Sequence, residues 1–427
     1  MSTFILQGDI CYCSAAERSL RTMPNGYLVC LNGLSAGVWS ELPPQYQTLP
    51  RIDYSGKLII PGLVDLHTHA PQFSFRGLGM DMEIMDWLRA HTFPEESRYS
   101  DLEYAKRAYG LAVKHLLCGP NTRMVLYATP HTPATILLME QMECSGLVSY
   151  VGRVNIDRNA PDSLREADAQ ASLRETRQWL TQTCGAYQNT YPILTPRFIP
   201  CCTDNLMRGL AQLQKEFRVP LQSHLSESLG EINLVRELCP GTRCYGNAYH
   251  ELGLMCGFPT IMAHCVWSNQ EETELLMRSG TFVAHCPQSN ANLSSGIAPV
   301  RRYLRQGLKM GLGSDVAGGC HPSIFRAMTD AIQVSKLRWQ LVDRDDLPLT
   351  FTEAFHMATM GGGAFFGQVG SFDTGYELDA LVIDDGLLAS TGPHTLAERL
   401  ERVAYLSDDR HIIEKYVRGK RLFEQLQ

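Results

Sequence analysis

Eight short apolar runs alternate with helical stretches between Leu58 and Arg338, and no other feature constrains the chain as tightly. The runs are Leu58–His69, Met124–Thr129, Val148–Ile156, Pro192–Phe198, Pro220–Glu227, Thr260–Cys265, Thr281–Cys286 and Lys309–Asp315. Hydrophobic spacing predicts helices over Leu102–Leu117, Thr132–Met142, Ser163–Thr183, Asn205–Phe217, Leu229–Leu238, Asn269–Arg278 and Ser323–Arg338. A strand followed by a helix, repeated in one order, calls for parallel strands, because such strands need a long crossover to return. Eight units predict an α/β protein centred on a (β/α)8 TIM-type barrel rather than a doubly wound sheet. The flanks read differently. FILQGDICYC and GYLVCLNG near the start look like strands. Gly370–Asp385 reads as two strands about a turn, and His411–Leu422 as a hairpin turning at Arg418-Gly419. The expected organisation is a small β domain built from both termini, residues 1–57 and 370–427, beside a barrel over 58–369.

Composition narrows the function classes. Hydrophobic residues make up 44% of the 427, enough for a large core. The net charge of −7 is spread along the chain, which argues against bulk electrostatic binding of nucleic acid or of an anionic membrane. The longest charge-free stretches, Leu252–Gln270 and Ser279–Val300, carry Pro, His, Asn and Ser and are not expected to span a membrane. The start, with Asp9 and no basic residue before Arg18, predicts no secretion leader. The 14 cysteines are irregularly spaced, and reduced thiols in a cytoplasmic protein are expected.

The chemistry sits at the strand ends. The first run ends in His67-Thr68-His69, the fifth in His224, the sixth in His264 and the eighth in Asp315. In a barrel the C-terminal strand ends converge on one mouth. Residues two apart in a strand share a face, so the two imidazoles of His67 and His69 can reach one ion. With His224 and Asp315 they form an imidazole–carboxylate set without thiolate, suited to Zn²⁺ or another divalent first-row ion. The fourth run has Arg197 and no Lys or Glu to bridge two ions, so one metal per chain is expected. Glu227, three residues past His224, is a candidate proton carrier for an activated water and a leaving amine. His264 is read as orienting that water, or else as a further ligand; the first role is preferred.

These residues resemble the amidohydrolase superfamily, and within it the guanine deaminase family. The resemblance runs nearly end to end, through Pro61–Gly77, Met85–Glu96, Thr195–Phe198, Gln222–Ser228, Met262–Cys265, Ala284–Gly296, Gly311–Gly319 and Tyr405–Lys420. It implies zinc on His67, His69, His224 and Asp315, with Glu227 as the catalytic carboxyl; His264 and Asp315 are counted with it as catalytic groups from their place at the strand ends. It further implies guanine as substrate, held by Gln72, Arg197 and Phe198, and a homodimer acting in purine catabolism or salvage. Arg offers a planar fork to an acceptor pair, Gln a donor and an acceptor, and Phe a stacking face. Gly119-Pro120-Asn121-Thr122 and Cys320-His321 depart from the family pattern near the mouth. A second reading on the same fold is hydrolysis of a cyclic amide, as in dihydropyrimidinases, against which the missing fourth-strand Lys counts. Other deaminases with the same metal site, acting on cytosine, adenosine-related or triazine substrates, are nearer rivals. The H-x-E and P-C-x-x-C signature of nucleic-acid-editing zinc deaminases does not occur.

Overall fold

Eight parallel strands close on themselves in a computed structural model that describes residues 2–16 and 19–424. The outermost residues assigned to the terminal β domain, 1 and 425–427, lie outside the described ones. β1 (Leu63–His69), β2 (Asn121–Tyr127), β3 (Val148–Gly152, continued by Val154–Asn155) and β4 (Thr190–Pro192, continued by Thr195–Pro196) pair in that order. β5 (Leu221–Leu225), β6 (Thr260–His264), β7 (Phe282–His285) and β8 (Lys309–Leu312) do the same. The two halves join where Leu194 N donates to Pro220 O and Gln222 N to Leu194 O, both at 2.9 Å. The ring closes where Asp315 N donates to His67 O at 2.8 Å and His69 N to Val316 O at 3.1 Å.

Side-chain alternation then sorts the core. Val64, Leu66, Val125, Ile193, Ile261, Ala263, Phe282 and Ala284, from five strands, pack together inside the barrel. Their neighbours Leu63, Met124, Leu126, Met262, Val283 and Leu312 point outward into the layer shared with the helices. Those helices start where the chain supplies a cap. Asp101, Thr203, Ser228 and Asn269 each accept a first-turn backbone N–H.

Four elements differ from the sequence reading. The run Leu58–His69 is two strands, Arg51–Pro61 and β1. Gly62 separates them, because a Cβ there would lie 2.2 Å from the Thr122 side chain. The helix expected from Ser163 begins at Ala169, where Asp168 caps it by accepting from Ala171 N. Within Gly370–Asp385 only Ala380–Ile383 is a strand. Gly370 and Gly375 turn the earlier part at φ 84° and 90°, and it leans on the strand Leu34–Trp39 through Ser35 N to Tyr376 O. A helix at Leu396–Leu406 was missed, although Thr395 and Glu398 form the capping box that announces it.

The termini do build one sheet of seven strands. In spatial order they are Lys420–Glu424, Ile412–Val417, Ala380–Ile383, Arg51–Pro61, Phe4–Cys13, Leu20–Leu31 and Leu34–Trp39. The expected hairpin turn is present, with Arg418 and Gly419 at φ 49° and 69°. A buried ion pair links this sheet to the barrel. Arg123 of β2 donates to both Asp379 oxygens, at 2.6 and 2.9 Å, and to Glu377 at 2.7 Å. Asp379→Ala leaves the guanidinium short of a partner, and removing one member of a buried pair costs about 3–5 kcal/mol. The expected result is a lower midpoint in urea of about that free energy; a midpoint within error of wild type would show the pair to be neutral.

Candidate active site

An irregularity in β1 aims the first two histidines. Asp65 pairs with Met124 and Thr68 with Leu126, so β1 carries one more residue than β2 over that stretch. The inward face that carries Val64 and Leu66 therefore continues through His67 and His69, as bulges beside active sites do. Asp65 accepts from His67 N, Ser314 N and Ser314 Oγ, pinning the end of β1 to the end of β8. The other strand ends turn through the left-handed region: Ser226 at φ 48°, His264 at 73°, Cys265 at 49° and Asp315 at 46°. Such conformations cost non-glycine residues of order 1–2 kcal/mol each, and they place the side chains of His264 and Asp315 in the barrel mouth.

There the donors meet. His67, His69 and His224 each direct a ring nitrogen into one cluster. Asp315 Oδ1 lies 3.1 Å from His67 Nε2 and 3.4 Å from His69 Nε2. His224 Nδ1 donates to the Arg197 carbonyl at 2.7 Å, which leaves its Nε2 lone pair facing His69 Nε2 at 3.4 Å. Neither ring nitrogen of the buried His67 has an aligned hydrogen-bond partner. Burial lowers the pKa of His67 and, with neighbouring imidazoles, holds His69 and His224 well below the ordinary histidine value. Burial acts to raise the Asp315 pKa, but the histidines around it outweigh that and hold it well below the carboxylate range. Neutral imidazoles and one carboxylate, with lone pairs converging, fit a divalent cation. The Cys286 sulfur at the end of β7 also reaches this cluster, which spacing did not foresee. Burial, with Asp315 beside it, holds it as a neutral thiol.

Glu227 and His264 stand at the edge of the same cluster. Glu227 Oε2 is 3.6 Å from His264 Nε2, and Glu227 Oε1 accepts from Ser295 Oγ at 3.0 Å. His264 Nε2 is 3.8 Å from Asp315 Oδ2, and its Nδ1 bonds Asn290 Oδ1 at 2.8 Å. Burial raises the Glu227 pKa. Burial alone would lower that of His264, but Glu227 and Asp315 outweigh it and raise it.

Gln72 and Arg197 lie side by side although they follow different strands. Both are buried, and both bond one carboxylate, that of Glu96. Phe198 is half-buried, its ring centroid 6.2 Å from that of His224 and inclined at 67°.

The match to known proteins agrees with this geometry. The Amidohydrolase family matches residues 58–422. The guanine deaminase of Dictyostelium discoideum is 38% identical over 379 residues, 87% of this chain and 84% of its own. That of Escherichia coli is 31% identical over 419 residues, 95% and 93% of the two chains. A crystal structure of guanine deaminase from C. acetobutylicum, with guanine bound in the active site, superposes at a TM-score of 0.95 with 43% identity, covering 99% of this chain and 100% of that one. The chain belongs to the guanine deaminase branch of the amidohydrolase family.

Several residues of this amidohydrolase site escaped the sequence reading. Tyr127, at the end of β2, packs its ring 4.5 Å from His69 and 5.0 Å from both His67 and His224. Its place at a strand end was the available signal. Asn290 and Ser295 lie within Ala284–Gly296, a segment that carried the resemblance without a role. Glu96 likewise closes Met85–Glu96, a segment that carried the resemblance, and was given no role.

Proposed function

We propose that this chain catalyses hydrolytic deamination of guanine to xanthine and ammonia, using one zinc ion per chain on His67, His69, His224 and Asp315. The observation that carries the reading is the juxtaposition of two sets of groups: a converging imidazole–carboxylate donor set, and beside it an Arg197 fork and a Gln72 amide. It is supported by the 43% identity to a structure described with guanine in its active site.

A divalent cation in such a site lowers the pKa of a coordinated water and so supplies a nucleophile near neutral pH. The chain's own residues do the rest. A bond forms between C2 and the water oxygen, and the bond from C2 to the amine breaks. Glu227 accepts a proton from the water and returns one to the departing amine, a task suited to a carboxyl whose pKa burial raises above the ordinary carboxylate value. His264, bonded through Nδ1 to Asn290, presents Nε2 toward Glu227 and Asp315 and orients the water. Arg197 offers its free N–H groups to the O6 and N7 acceptors, Gln72 faces another polar edge, and Phe198 lies against the ring. The same reading makes the enzyme a cytoplasmic homodimer; no helix among the described residues is long and apolar enough to cross a membrane.

Incubation with guanine, adenine and cytosine, following ammonia, tests the proposal. Guanine is expected to react and the other two to lag far behind. Adenine carries an amine where guanine has O6 and none at C2, and cytosine is too short to reach both Arg197 and the metal. Arg197→Ala is expected to lower kcat/KM for guanine by at least about tenfold, the cost of leaving substrate acceptors unpaired in a buried site. A wild type that prefers adenine or cytosine, or a variant with full guanine activity, would overturn the assignment.

A further inference from the structure

Glu96 is 1% exposed and spends both carboxylate oxygens on the two side chains assigned to the purine. Oε1 accepts from Gln72 Nε2 at 2.9 Å, and Oε2 accepts from Arg197 Nη1 at 2.7 Å. We propose, resting on the guanine reading, that Glu96 is the positioning residue of the substrate pocket: one carboxylate that orients the Gln72 amide and the Arg197 guanidinium together and cancels the charge of the latter.

The orientation follows from donor and acceptor chemistry. A carboxylate only accepts, so the Gln72 face turned to Glu96 must be its NH₂. The other end agrees, since Gln72 Oε1 accepts from Ala317 N at 3.0 Å. The amide is thereby held in one of its two flips, with one N–H and one lone pair left to offer. Arg197 is held by one Nη, and no protein acceptor among the described residues takes its other edge. Its guanidinium carbon lies 5.5 Å from the Phe93 ring centroid, on the same short helix Phe93–Ser97 as Glu96. Three separate segments are tied here: the turn after β1, the end of β4 and that helix. A buried guanidinium without this partner would favour an anion over a neutral base. Paired with Glu96, it leaves the pocket electrically balanced and the fork free to recognise an uncharged, edge-polar ring.

The test is a double-mutant cycle between Glu96→Gln and Arg197→Ala, with kcat and KM for guanine measured on metal-loaded protein. Glu96→Gln is expected to keep its metal and to lose at least about tenfold in kcat/KM, mainly through KM. In the Arg197→Ala background the same change is expected to cost clearly less than it does in the wild type, because only the hold on Gln72 is then left to lose. Wild-type kcat/KM in Glu96→Gln, or losses that multiply in full, would overturn the proposal. Should Glu96→Gln fail to fold, Glu96→Asp, which keeps the charge and shortens its reach, carries the same expectation in KM and the same overturning result. A wild type that releases no ammonia from guanine refutes the proposed function itself, and the inference falls with it; wild-type activity with an indifferent Glu96 refutes the inference alone.

Discussion

Glu227→Gln is expected to lower kcat for guanine deamination by roughly 10²–10⁴-fold with the metal still bound. The substitution keeps the shape of the side chain, so the bond from Ser295 Oγ to Oε1 can persist. It removes only the capacity to take a proton and give it back. Because the carboxyl touches neither Gln72 nor Arg197, KM is expected to stay within a few fold of wild type. Single-turnover rates and metal analysis on the same preparation decide the matter. A variant that loses its metal or its fold would make Glu227 a structural residue, and one with unchanged kcat would take the proton elsewhere.

Removal of the metal is expected to abolish activity altogether. His69→Ala or Asp315→Ala withdraws one of the converging donors around a position that the remaining, largely neutral imidazoles hold less firmly. Metal analysis should find about one divalent ion per chain in the wild type and much less in either variant. Chelation should silence the wild type, and zinc should restore it. A ligand that binds only the folded chain also stabilises it, by about 2.7 kcal/mol at a hundredfold excess over its dissociation constant, so the loaded protein should melt higher. Two tightly bound ions per chain, or full activity in metal-free protein, would contradict the site.

The barrel was legible because its signals are local. Strand and helix periods repeat in order along the chain, and a strand end delivers its side chain to the same mouth wherever it lies in sequence. His67, His69, His224, His264 and Asp315 could be grouped on that rule alone, and the structure does bring them together. The alternation argument for His67 and His69 was sound in outcome but incomplete. Val64 and Leu66 also face inward, so the face is kept only through the extra residue between Asp65 and Thr68. A bulge depends on the partner strand's register, which no run of seven residues encodes. The mistaken pair of strands in Gly370–Asp385 has a similar cause. Asp379 and Glu377 are held by Arg123, more than two hundred positions earlier, and not by a strand of their own.

Residues 93–97 mark where local reading ends. Glu95 and Glu96 are adjacent, acidic and in one helical turn, and nothing in FPEES tells them apart. Glu95 pairs with Arg98, three residues away in the same stretch. Glu96 turns inward to Gln72 and to Arg197, which stands 101 positions further on. Sequence by itself determined the strand–helix order, the donor types at the strand ends and the fold those imply, all properties of short windows. The tertiary structure alone decided which of the two buried carboxylates meets Gln72 and Arg197, which amide flip is held and how the guanidinium is neutralised. Burial and ion pairing are set by what the fold brings near from elsewhere in the chain, and that information is absent from any window around Glu96.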